Sequence, residues 1–133
     1  MATMREHNHF RRPDPDSQEI WLVTSSSSDG DWIAFAAETL VSERKAESVE
    51  VRGPHTRYRV ESGPVIKTDE WHLVARCPSE TMLASMDRLR ELHPAELIRV
   101  EAQPIQYVDP RYRTEIESAC RISETPNGLP SYT

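Results

Sequence analysis

A His-Pro step at residues 93 and 94 strongly constrains how the second half of this chain can fold. Proline has no N–H and disfavours helical geometry at the residue before it, so a helix that passes through Leu89 is expected to end at His93. Beyond the break, apolar residues alternate with polar ones, and the apolar set is Ile98, Val100 and Ala102. This period of two predicts a strand with one buried face. His93 is therefore expected at a helix-to-strand corner, where a polar side chain can face a cleft.

The same kind of patterning predicts six elements in the order strand, helix, strand, strand, helix, strand. The strands are expected at residues 20–24, 48–60, 70–77 and 97–105, and the helices are expected to begin after Asp29 and after Pro78. Each β-α-β half needs its helix on one face of the sheet. Two such halves give an α+β fold, a ferredoxin-like split βαβ sandwich with an antiparallel sheet and two helices on one face.

Composition narrows the function. The 133 residues fit one domain, expected at 18–117, between a disordered N-terminal tail at 1–17 and a C-terminal tail at 118–133. A formal net charge of −6 argues against a nucleic-acid partner, which normally meets a basic face. No apolar run is long enough to span a membrane. The two cysteines cannot build a disulfide framework, and a cytoplasmic location is the simplest expectation.

The region around His93 resembles the CutA family, the divalent-cation-tolerance proteins, whose members typically read R-x-x-H-P-Y-E-x-P-x-I-x-x-x-P-V there. The residues in register are Arg90, His93, Pro94, Glu96, Val100 and Pro104. Asp109-Pro110-Arg111-Tyr112 is similar to the N-P-x-Y that follows in many members, and the resemblance extends over residues 18–117. It implies a tight homotrimer with a cleft at each subunit boundary.

The family name implies a divalent metal, such as copper, although no cofactor is certain. Copper favours thiolate or imidazole ligands, and the two positions that hold cysteine in some members are Ser25 and Ser48 here. His93 remains as a metal ligand, with Glu96 three residues later. The alternative is that His93 is a hydrogen-bonded corner residue.

The resemblance also implies that the cleft is lined by aromatic rings, several of which are replaced in this chain by Val60, Ala95 and Glu115. A roomier and more polar cleft follows, which favours an anionic small molecule as the ligand. The candidate ligand-binding residues are Arg76, Arg59, Tyr58, Lys67 and Trp71. The arginines are included because a guanidinium group can bind a carboxylate or phosphate bidentately.

Three functions fit these patterns. The first is a CutA-like trimer that binds a small ligand or divalent metal in an intersubunit cleft. The alternative is a cofactor-independent enzyme on the same scaffold, which isomerises or cyclises a small metabolite, with His93 and a carboxylate, Glu96 or Glu61, moving protons. A regulatory trimer of the PII kind that binds a nucleotide is the third, and the lack of a glycine-rich phosphate loop disfavours it.

Overall fold

The protein folds into a four-stranded antiparallel sheet with three helices, in a computed structural model that describes residues 19–93 and 99–121. The elements in chain order are β1 (Ile20–Ser27), α1 (Gly30–Ser42), β2 (Ser48–Val60), β3 (Val65–Pro78), α2 (Ser79–Leu92), β4 (Val100–Ile105) and α3 (Pro110–Cys120). The strand order is β2-β3-β1-β4, so each β-α-β half brackets a strand of the other half. This arrangement confirms the predicted ferredoxin-like α+β fold.

The core lies between one face of the sheet and the two helices that cover it. Apolar residues alternate on this face of β1 and β3, and α1 and α2 turn their apolar stripes toward them. The buried cluster includes Trp21, Val23, Leu73 and Ala75 from the sheet and Ile33, Leu40, Met82 and Leu89 from the helices. Asp29 caps α1 as predicted, because its Oδ1 accepts hydrogen bonds from the backbone N–H groups of Asp31 and Trp32.

Two strands are longer than the sequence pattern predicts. β1 continues through Ser25, Ser26 and Ser27, which pair with Leu73, His72 and Trp71 of β3. Serine carries little strand signal of its own, so this extension depends on pairing across the sheet. β3 begins at Val65 and not at residue 70. Residues 55–70 therefore form a two-stranded extension of β2 and β3 past the end of β1, which we call the β-ribbon.

The sequence pattern does not predict α3, whose buried residues are Ile116 and Cys120. This helix ends beyond residue 117, where the domain was expected to end. The Tyr112 hydroxyl donates to Glu47, and Arg44 donates to the carbonyl oxygen of Ala119, so α3 is attached to the segment between α1 and β2.

The N-terminal tail at 1–17 and the predicted start of the fourth strand at 97 lie outside the described residues, as does most of the C-terminal tail. Within the part of the chain that the structure describes, no helix has both the length and the apolar character that crossing a membrane requires.

Two glycines leave room for the indole of Trp71. A Cβ atom at Gly30 would lie 2.8 Å from Trp71 Nε1, and one at Gly53 would lie 3.3 Å from Trp71 Cε3. Gly53 also has a φ of 137°, a backbone conformation that residues with a Cβ rarely adopt. It lies at the irregularity in the pairing of β2 with β3 between Arg52 and His55. The indole of Trp71 packs against the core.

Candidate functional site

Polar side chains line the sheet face that is opposite α1 and α2, and they concentrate where the β-ribbon leaves the sheet. Paired residues of antiparallel strands project to the same face. His55 pairs with Glu70 and Arg57 pairs with Thr68. These residues therefore share one surface with His72, which follows Glu70 by two positions on β3. We call this surface the open face.

Glu70 lies at the centre of this surface and is only 6% exposed. Its Oε2 accepts hydrogen bonds from Arg57 Nη1 at 3.3 Å and from Thr68 Oγ1 at 3.1 Å. Arg59 Nη1 lies 3.8 Å from the same oxygen and donates to Thr68 Oγ1 at 3.2 Å. The β-ribbon thus supplies two guanidinium groups to one buried carboxylate.

A third guanidinium group comes from Arg99, just before β4. Arg99 Nη2 lies 3.9 Å from Glu70 Oε1 and donates to Ser26 Oγ at 2.6 Å. The Ser25 hydroxyl donates to the backbone carbonyl of Arg99 at 2.8 Å and so holds this residue against β1. We call these side chains the Glu70 cluster, and its members are Glu70, Arg57, Arg59, Arg99, Thr68 and Ser26.

The cluster carries an excess of positive charge in an acidic protein. Three guanidinium groups surround one carboxylate, whereas the whole chain has a formal net charge of −6. Burial raises the pKa of Glu70, but hydrogen bonds from Arg57 and Thr68 outweigh that effect, and the pKa lies below its ordinary value. Glu70 is therefore ionised at neutral pH.

One oxygen of Glu70 is left without a hydrogen bond. Among the described residues, Glu70 Oε1 is the buried side-chain oxygen that has no hydrogen-bond partner. An unsatisfied buried acceptor is costly, and the guanidinium group of Arg99, 3.9 Å away, offsets part of that cost.

Two surface depressions meet at the cluster. One, of about 470 Å³, is lined by His55, Thr56, Arg57, Tyr58, His72 and Arg99. The other, of about 590 Å³, runs along β1 and β4 past Thr24, Val74 and Glu101 and also reaches His72 and Arg99. Burial lowers the pKa of His72, and the nearby His55 and Arg99 lower it further, so this ring is neutral at pH 7. Because both depressions reach Arg99, this residue is accessible to a ligand from two directions.

Of the predicted ligand-binding residues, Arg59 lies in the cluster. Glu61, predicted as a catalytic carboxylate, is exposed at the tip of the β-ribbon, where its Oε1 lies 3.4 Å from Arg59 Nη2. Tyr58 and Lys67 pair with each other, and Lys67 Nζ lies 5.9 Å from the centroid of the Tyr58 ring. The alternation of side chains places both on the opposite face of the ribbon from Glu70.

Arg76 lies elsewhere. It forms an ion pair with Glu50 at 3.3 Å and pairs with Ser48 at the far end of β3. Arg59 pairs with Ile66, and at about 3.3 Å per residue the two arginines are roughly 30 Å apart along the strand. Within one chain the structure does not bring them together.

His93 lies on the helix side of the sheet. Its ring contacts Trp32 edge-on, with 4.4 Å between ring centroids, and its backbone N–H donates to the carbonyl oxygen of Leu89. Glu96, its predicted partner, lies outside the described residues. In residues 19–93 and 99–121, no three His, Cys, Asp or Glu side chains lie close enough to hold a metal ion.

Pattern analysis did not single out four members of this region: Glu70, Arg57, Arg99 and His72. The alternation within each strand was visible, but the register between β2 and β3 was not. That register decides which residues face each other across the hairpin.

The sequence and the fold agree on a family. Residues 21–119 match the CutA1 divalent ion tolerance protein family. The chain belongs to this family. No curated protein matches the sequence.

Solved CutA structures share the fold at low sequence identity. CutA from Xylella fastidiosa is 24% identical, with a TM-score of 0.73 over 77% of this chain and 98% of its own. CutA1 from Oryza sativa is 18% identical, with a TM-score of 0.73 over 80% and 100% of the two chains. The periplasmic divalent cation tolerance protein CutA from Archaeoglobus fulgidus is 15% identical, with a TM-score of 0.71 over 77% and 99%. The CutA1 fold is thus present at nearly full length.

Proposed function

We propose that this CutA1-family protein is a homotrimer that binds a small anionic ligand at the Glu70 cluster, in a cleft that a neighbouring subunit completes. The observation that carries the proposal is the excess of guanidinium groups around one buried carboxylate, beside two depressions, on a chain that is acidic as a whole. Guanidinium groups bind planar oxyanions bidentately, and partial burial strengthens those hydrogen bonds.

Assembly is supported by the surfaces that one chain leaves uncovered. β2 and β4 form the two edges of the sheet, and strand edges pair readily with another chain. Tyr58, Val60 and Val65 of the β-ribbon are each more than 60% exposed. Apolar side chains grouped in this way typically mark a protein interface. These three side chains lie on the face of the β-ribbon opposite Glu70, and a neighbour that packs on the open face as well would narrow the depressions beside Arg99.

A divalent metal, copper in particular, is the second candidate ligand, because the family is defined by divalent ion tolerance. His93 is the proposed metal ligand in that case. The described residues of one chain offer it no cluster of ligating side chains, so this function depends on residues from a neighbouring subunit or outside the described range.

The enzyme alternative receives less support within one chain. Glu61 lies at the end of the β-ribbon, roughly 20 Å beyond Trp71 at about 3.3 Å per residue, whereas His93 packs on Trp32 near the start of α1. Proton transfer by this pair would need two subunits to meet. We also propose a cytoplasmic location, because Cys77 and Cys120 are free thiols.

Two measurements test the main proposal. Native mass spectrometry should give the mass of three chains. Small carboxylates, added at millimolar concentration, should shift the NMR signals of the guanidinium N–H groups in the Glu70 cluster. Arg99→Met should abolish the shifts, and Arg90→Met, which changes an exposed arginine of α2, should leave them intact. A wild-type spectrum that does not respond to carboxylates would overturn anion binding.

A further inference from the structure

Two histidine rings are in contact beside the Glu70 cluster, where the two depressions meet. The ring centroids of His55 and His72 are 5.0 Å apart, and the rings meet edge-on with an interplanar angle of 86°. His72 lines both depressions together with Arg99, and His55 lines the smaller one. A ligand that reaches Arg99 through either depression therefore lies beside His72.

The surroundings of His72 favour the neutral form of its ring when no anion is bound. Burial opposes protonation, and so do His55 and the positive charge of Arg99, whereas the carboxylate of Glu70 favours it. The balance holds the pKa of His72 below its ordinary value of 6.5. The charged and titratable groups that face this ring or share a depression with it are His55, Arg52 and Arg57 of β2, Glu70 of β3, Arg99, and Glu101 of β4.

An anion on Arg99 would change this balance. It would offset the positive charge that opposes protonation of His72, so the pKa of His72 would rise when the anion binds. By reciprocity, a proton on His72 raises affinity for the anion by the same factor. Glu70 does not take part in this change, because its pKa lies below 4.5 and the carboxylate is already ionised at about pH 5.5.

The contact between the rings limits the number of protons that the pair takes up. Two imidazolium rings with centroids 5.0 Å apart would repel each other. One charged ring and one neutral ring can keep the edge-on contact without that repulsion. The pair is therefore expected to take up at most one proton for each anion that binds.

We propose that His72, in contact with His55, couples anion binding at the Glu70 cluster to proton uptake, so that affinity for the anion increases as the pH falls. This coupling rests on the proposed anion-binding function and adds a pH-dependent residue to the same site. The gain in affinity begins as the pH falls through the pKa that His72 has in the complex. It is complete below the pKa that His72 has without the anion.

Sulfate and formate are the probes, because both keep their charge between about pH 5.5 and about pH 7.5. Calorimetry on the wild-type protein, in two buffers with different ionisation enthalpies at about pH 6.5, counts the protons taken up. We expect about 0.3–1 proton per bound sulfate, and affinity about fivefold or more higher at about pH 5.5 than at about pH 7.5. These measurements use the unaltered protein, so they do not depend on how a variant folds.

Two variants then locate the coupling. His72→Gln should reduce proton uptake to near zero and flatten the pH profile, while sulfate still binds at about pH 7.5 through the arginines. His55→Gln removes a neighbour that opposes protonation of His72, so it should shift the profile to higher pH. Asp87→Asn, which changes an exposed side chain of α2, is the control and should keep the wild-type profile.

Each failure has a separate meaning. Binding of sulfate and formate that does not depend on pH would overturn the coupling and leave anion binding in place. Proton uptake that is unchanged in His72→Gln would assign the proton to another group and overturn the role of His72. Binding of neither anion at any pH would overturn the proposed function itself.

Discussion

The ring of His93 meets the indole of Trp32 edge-on, 4.4 Å between centroids, while Trp32 Nε1 donates to the carbonyl oxygen of Leu92. The end of α2 is thereby fixed to the start of α1. The residue that the sequence proposes as a metal ligand or proton donor thus has a packing role in the folded chain.

His93→Ala should lower the free energy of unfolding by about 0.5–1.5 kcal/mol, because an aromatic pair is lost at a helix end. Urea denaturation monitored by circular dichroism measures this change. His55→Ala, which breaks an edge-on histidine pair with His72 at an exposed position, is the control and should have the smaller effect. Equal stability of His93→Ala and wild type would contradict the packing role.

Glu70 should make stability depend on pH. Its pKa in the folded protein lies below its ordinary value of 4.5, so the ionised form stabilises the fold at pH values above about 4.5. This stabilisation is lost as the pH falls through the folded-state pKa. Glu70→Gln should therefore be less stable than wild type at pH 7, by about 1–3 kcal/mol, and the difference should shrink below about pH 4.

Denaturant unfolding at a series of pH values tests that slope. Glu61→Gln removes an exposed carboxylate from the same β-ribbon and is the matched control, expected to follow the wild-type profile closely. A constant difference between Glu70→Gln and wild type from pH 7 to about pH 3 would show that Glu70 ionisation does not stabilise the fold.

Gly30→Ala should destabilise the protein although Gly30 is the first residue of a helix, where alanine is normally favoured. The new Cβ would lie 2.8 Å from Trp71 Nε1, inside van der Waals contact with a ring that packs on the core. A loss of about 1–3 kcal/mol is expected.

A double-mutant cycle separates this clash from other effects of the alanine. Trp71→Phe removes the indole nitrogen, so Gly30→Ala should be less destabilising in the Trp71→Phe background than in wild type. Identical effects in the two backgrounds would assign the loss to the helix and not to the indole.

Glu43 should titrate far below an ordinary glutamate. Arg88 donates to both of its carboxylate oxygens, at distances of 2.8 to 3.3 Å, and Lys45 donates to Oε1 at 3.0 Å. These hydrogen bonds lower the pKa of Glu43 to about 2. NMR titration of the side-chain carboxyl carbon measures it directly, and Arg88→Met should raise the midpoint toward 4.5. Lys45→Met should give the smaller increase, and a wild-type midpoint near 4.5 would contradict the ion pair in solution.

The order of the other elements and the fold class could be predicted from the sequence because their signals are local, whereas α3 and the extensions of β1 and β3 could not. The His93-Pro94 step marks the end of α2, and Asp29 marks the start of α1. The alternation of apolar residues in β3 shows which face of the strand is buried. Each of these signals lies within a few residues, so no long-range information is needed.

The candidate site could not be predicted in the same way, since it depends on a change of phase within one strand. Glu50 and Arg52 share the open face with Arg76 and His72, but after the irregularity at Gly53 it is Arg57 and Arg59 that do so. Strict alternation through β2 would have placed the latter pair on the other face. One extra residue in β2, where Gly53 and Pro54 lie opposite Trp71 alone, reverses the faces, and its effect is seen only against the partner strand.

Because the β-ribbon carries part of the Glu70 cluster, anion binding at the cluster is coupled to the folding of the ribbon. Two strands without a core of their own are marginally stable, so this segment is expected to fray first. It also carries Arg57 and Arg59, and fraying would remove both from Glu70 at once. By thermodynamic reciprocity, anything that holds the ribbon in place raises affinity for the anion, and the anion in turn holds the ribbon. A bound anion and an adjoining subunit would therefore favour each other's presence through the β-ribbon, in addition to any direct contact between them.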